Sequence, residues 1–78
     1  MNFQKVLEQV LSAVPKIASD TENVISIFFS SGIKINPNLQ FESFEKDPAE
    51  CIQSLIVNLS SHPALKIYAR EKFKELGI

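Results

Sequence analysis

Four consecutive residues, Asp47-Pro48-Ala49-Glu50, carry three separate signals for the start of a helix. An aspartate at the N-cap accepts a backbone N–H that the helix cannot satisfy, a proline at the first helical position sacrifices no hydrogen bond, and a glutamate completes a capping box. Ser19-Asp20-Thr21-Glu22 repeats the logic with Ser19 or Asp20 as cap. Ser61-His62-Pro63 supplies another start, capped by Ser61 or His62. A chain punctuated this way is built from short helices. Punctuation of this kind carries no chemistry, so function has to be sought among the side chains left over after packing.

The apolar spacing agrees with the punctuation. From Asn2 to Ala18, Phe3, Leu7, Val10, Val14 and Ile17 recur at alternating spacings of four and three, flanked by Val6, Leu11, Ala13 and Ala18. At about 100° per residue these side chains occupy an arc of roughly 160°. Pro15 falls on the opposite, polar side, where its missing N–H predicts a kink or a stop near Val14. A second helix follows from 20 to 31. Its apolar set of Val24, Ile25, Ile27, Phe28 and Phe29 spans roughly 200°, wider than one neighbour can cover, which places it centrally. Gly32 is positioned to end it in the left-handed conformation. The third helix, 48–60, packs Cys51, Ile52, Leu55, Ile56 and Leu59, with Val57 off that stripe. The fourth, 63–76, packs Leu65, Tyr68, Ala69, Phe73 and Leu76.

Residues 33–46 have no helical periodicity and contain the turn signal Asn36-Pro37-Asn38. They are read as a connector held to the core by Leu39, Phe41 and Phe44, with at most one helical turn around Glu42 to Glu45; the Leu39, Phe41 alternation is too short to argue for a strand. The expected fold is therefore all-α: a single helical domain over 1–78, a compact bundle of four short helices (2–18, 20–31, 48–60, 63–76) with the long connector 33–46.

Eight basic and nine acidic side chains leave a net charge of −1, so no global field draws the chain to nucleic acid or to an acidic membrane. The longest uncharged apolar run, Asn23 to Ile33, is about half the roughly 20 residues a spanning helix needs. Only Lys5 precedes Glu8, and no small-residue cleavage site follows, which gives the expectation of a cytoplasmic protein without membrane association. A lone Cys51 cannot form an internal disulfide, and a core of this size supplies only about 3–5 kcal/mol, so a homo-oligomer is one expected source of further stability.

No catalytic, cofactor-binding or metal-binding residues are expected, and the chain is read as not an enzyme. Cys51 and His62 are the only residues of their types and have no orienting third group. The acidic stretch Glu42, Glu45, Asp47 and Glu50 matches no calcium loop, and capping accounts for two of its members. Two glycines cannot build a phosphate-cradling loop.

What remains is surface. Lys66, Arg70 and Lys74 recur every four residues as a basic stripe. Such a stripe can track a phosphate backbone or an acidic groove, although Glu71 and Glu75 dilute its field and the helix dipole favours cations near a C-terminus. Ile67 points roughly 160° away from Leu65, outside the core stripe, while Lys72 projects into that stripe, so either it snorkels at an edge or the helix end packs differently from the wheel. Phe29 and Val57 are likewise in excess of one small core. The expectation is a non-enzymatic helical protein–protein interaction module (an adaptor, inhibitor or assembly component able to self-associate) with contact residues Ile67, Lys66, Arg70, Lys74, Phe29 and Val57. A small nucleic-acid-binding protein using the same basic stripe is the alternative.

Overall fold

A computed structural model of the chain describes residues 2–77. Helix α1 spans Phe3–Ile17 and begins where Asn2 caps it, the Asn2 Oδ1 accepting the Lys5 N–H at 3.1 Å. It buries Leu7, Val10, Leu11 and Val14, the centre of the apolar arc read from the sequence. The expected stop near Val14 does not occur. The helix runs through Pro15, which lies on the exposed face, and is closed by the Ala18 N–H donating to the Val14 carbonyl at 2.8 Å.

Helix α2, Thr21–Ser30, buries Val24 and Phe28 and half-buries Ile25 and Ile27. Its N-cap is Asp20, whose carboxylate accepts from the Asn23 side-chain amide rather than from a helix N–H. Gly32 ends the segment at φ +89°, its N–H donating to the Phe29 carbonyl at 3.0 Å.

The all-α expectation is overturned in the connector. Residues 33–46 hold a two-stranded antiparallel sheet, β1 (Ile33–Ile35) and β2 (Phe41–Phe44), paired Ile33 to Phe44, Lys34 to Ser43 and Ile35 to Phe41. Two residues, Phe41 and Glu42, are fitted where one would pair, so β2 carries a bulge at Glu42. Ile33 and Ile35 are buried, and their partners Phe44 and Phe41 pack against the same core. The Phe44 ring lies 4.7 Å from Phe41 and meets the edge of Phe3 at 6.4 Å, the favoured geometry for aromatic pairs. Asn36 organises the turn: its Oδ1 accepts from the backbone N–H groups of Asn38 at 2.9 Å and Gln40 at 3.2 Å. Leu39 is held at φ +61° while half-burying its side chain. The helical turn expected at Glu42 to Glu45 is absent because those backbone groups are committed to the sheet.

Helix α3 covers Pro48–Asn58 and passes through a 3₁₀ turn, Leu59–Ser61, into α4, Pro63–Lys74. Among the described residues, these four α-helices and the hairpin enclose one core with a Cα radius of gyration of 10.9 Å, close to the roughly 11–12 Å of a compact chain this long. One polar group is buried in it. Ser31 Oγ donates to the Ile27 carbonyl at 2.8 Å and accepts from Asn58 Nδ2 at 3.0 Å, joining the ends of α2 and α3.

Asp47 caps α3, its carboxylate accepting the Glu50 N–H at 3.3 Å. Asp47→Ala is expected to cost about 1 kcal/mol. In a thermal melt that is a fall in Tm of about 4–8 °C. Asp20→Ala, which loses only an exposed bond to Asn23, should move Tm by less than half as much; equal shifts would show that the Asp47 cap contributes no more than that exposed bond.

Candidate functional site

The charges and apolar residues singled out on the last two helices meet in one groove between α3 and α4, with a volume of about 530 Å³. Its floor is apolar. Phe73 is buried and Ile56 half-buried, so both belong to the core while showing an edge to the groove. Above them stand Val57, 67% exposed, and Ile67, 61% exposed. Gln53, Arg70, Glu71 and Lys74 supply the polar margin.

The local sequence explains the arrangement. In α3 the 3.6-residue period buries Cys51, Ile52 and Leu55 and turns Val57 outward. In α4, Leu65, Ala69 and Phe73 face the core, which leaves Ile67, Arg70, Glu71 and Lys74 as neighbours on the outer side. The tight turn through Ser61 and His62 then sets the two outer faces beside each other.

Not every singled-out residue joins them. Lys66 is half-buried and lines no part of the groove, so the basic stripe is reduced there to Arg70 and Lys74 with Glu71 between them. Phe29 is 47% exposed on α2 and also lies outside the lining. Lys72 snorkels, its Nζ 5.5 Å from the centre of the Tyr68 ring in a cation–π contact. Ile56 and Glu71 line the groove without being expected contact residues. The sequence carries a signal for Glu71, which lies one turn beyond Ile67, and none for Ile56, which belongs to the core stripe of its own helix.

A second, shallower depression is lined by Lys46, Glu50, Gln53, Ser54, Val57 and Asn58, so Val57 stands on the ridge between the two. Elsewhere the reactive groups are engaged separately. The buried Cys51 thiol points at the Gly32 carbonyl, 3.5 Å away, and His62 Nδ1 lies 3.1 Å from Ser61 Oγ. Among the described residues no group of three or more His, Cys, Asp or Glu side chains is placed to share a metal ion, and no helix is long and apolar enough to cross a membrane.

In comparisons with known protein families, curated proteins and solved structures, nothing matches this chain.

Proposed function

We propose that the protein is a non-enzymatic interaction module, acting as an adaptor, inhibitor or assembly component, and that it docks a protein partner in the α3/α4 groove. One observation supports this most directly: two β-branched aliphatic side chains, Val57 and Ile67, stand exposed on one apolar-floored groove with charged margins. An apolar centre with a polar rim is the general anatomy of a protein–protein contact. Scattered exposed aliphatics would carry no such meaning; two sharing a groove do. A reducing compartment such as the cytoplasm suits the single unpaired thiol of Cys51.

A display library of helical peptides, panned on the wild type alone and the selected peptides then titrated against Val57→Ser/Ile67→Ser, tests the proposal and requires no identified partner. Both positions are exposed, so the double variant keeps the fold. Peptides selected by the wild type are expected to lose at least about tenfold in affinity for the variant. Selected peptides that bind both proteins equally would overturn the proposal. So would oligonucleotide binding that weakens steeply with salt, the behaviour of a phosphate-tracking surface built on Lys66, Arg70 and Lys74.

A further inference from the structure

We infer that the occupant of the groove is a second copy of this chain, paired through antiparallel α4 helices about a two-fold axis passing between Arg70 and Glu71. The inference rests on the interaction proposed above and names its partner. Ile67, Arg70, Glu71 and Lys74 are spaced i, i+3, i+4 and i+7, so they form one face of α4. That face carries both signs of charge, and its spacing reads the same in both directions about the midpoint between Arg70 and Glu71. Turned end to end upon itself, it sets Arg70 against Glu71 of the second copy, Glu71 against its Arg70, and Ile67 against the aliphatic stem of its Lys74.

The same charges disfavour the competing occupants. A parallel pairing would set Arg70 against Arg70 and Lys74 against Lys74. A uniformly basic helix would be repelled by Arg70 and Lys74, and a uniformly acidic one would set a like charge against Glu71 where a second copy sets Arg70. Two-fold symmetry thus satisfies Arg70 and Glu71 together without a second sequence. The contact is small. Helix α4 has 12 residues and is about 18 Å long, and with the flank of α3 it offers less than the roughly 800 Å² per partner of a standard stable interface. The pair is therefore a weak one, dissociating in the range of tens of micromolar or above.

Sedimentation equilibrium from about 10 µM to about 500 µM, on the wild type, Arg70→Glu, Glu71→Arg and the double swap, tests the pairing. Arg70 and Glu71 are exposed, and circular dichroism checks that each variant folds. Each single swap places like charges across the axis and is expected to weaken dimerisation at least about tenfold. Two results should restore it: the double swap, and an equimolar mixture of the two single variants, which can pair only with each other. A wild type that stays monomeric throughout, or single swaps that dimerise like the wild type, would overturn the inference. Peptides dependent on Val57 and Ile67 alongside a monomeric wild type would remove the self-pairing alone and leave the docking groove standing.

Discussion

Phe28→Ala is expected to leave little folded protein at 25 °C, whereas Phe29→Ala, one residue along the same helix, should fold. Phe28 is fully buried and is among the largest side chains of the core, and Phe29 is 47% exposed. Truncating a buried phenylalanine costs about 3–5 kcal/mol, combining lost transfer energy with the cavity left behind. A chain of 78 residues has a core that supplies only about 3–5 kcal/mol in total. The loss is thus comparable with the whole stability. Helix propensity cannot explain a difference between the two variants, because Phe-to-Ala gains the same few tenths of a kcal/mol at either site. Urea titration followed by circular dichroism should give Phe29→Ala a cooperative midpoint and show Phe28→Ala with little native signal before urea is added. Phe28→Leu should recover most of the deficit, since it refills much of the cavity. A Phe28→Ala protein with the same midpoint as Phe29→Ala would mean that the buried Phe28 ring contributes no more to the core than its half-exposed neighbour.

The helices were legible in the sequence because two independent signals coincide there. Capping signals at Asp20 and Asp47 and before Pro63 mark the starts of α2, α3 and α4, and the three–four spacing marks the buried faces; the Asn2 cap of α1 is not among the signals read from the sequence. The hairpin was illegible for a specific reason. In an unbulged strand, residues on one face are separated by two, and Ile33-Lys34-Ile35 obeys this. The bulge at Glu42 puts Phe41 and Phe44, three residues apart, on the same face. Three is also a helical spacing, so the sequence around Glu42 to Glu45 imitates a turn of helix. Two strands of three and four residues offer too few positions to break the tie. Pro15 predicts a kink or a stop near Val14, and the stop does not occur. On the exposed face of a helix's last turn its missing N–H is cheap, and α1 continues to Ile17.

The groove was half legible. A helical wheel shows that Val57 and Ile67 leave their own stripes, but a wheel says nothing about two helices meeting. Their convergence depends on the turn at Leu59–Ser61, and the half-burial of Lys66 outside the groove depends on tertiary packing. Neither is local information.

Gly32→Ala is the second substitution with a large expected effect, about 2–3 kcal/mol, and its cause can be divided. At φ +89° any side chain opposes the backbone, which for alanine costs about 1–2 kcal/mol. A Cβ at this position would also lie 3.1 Å from Cys51 Sγ, tighter than a normal contact. Neither neighbour can yield freely. The Gly32 carbonyl accepts the Glu45 N–H at 2.8 Å and faces the Cys51 thiol at 3.5 Å, while its own N–H closes α2. One residue thereby ties α2, the hairpin and α3 together, so a shift there propagates to all three. A double-mutant cycle with Cys51→Ala separates the two contributions. If crowding contributes, Gly32→Ala should cost about 1 kcal/mol less in the Cys51→Ala background than in the wild type. If the two losses simply add, the backbone conformation alone is responsible, and Gly32→Asn, better suited to the left-handed region, should then be milder than Gly32→Ala. A Gly32→Ala protein as stable as the wild type would contradict both contributions and with them the tight junction between β1 and α3.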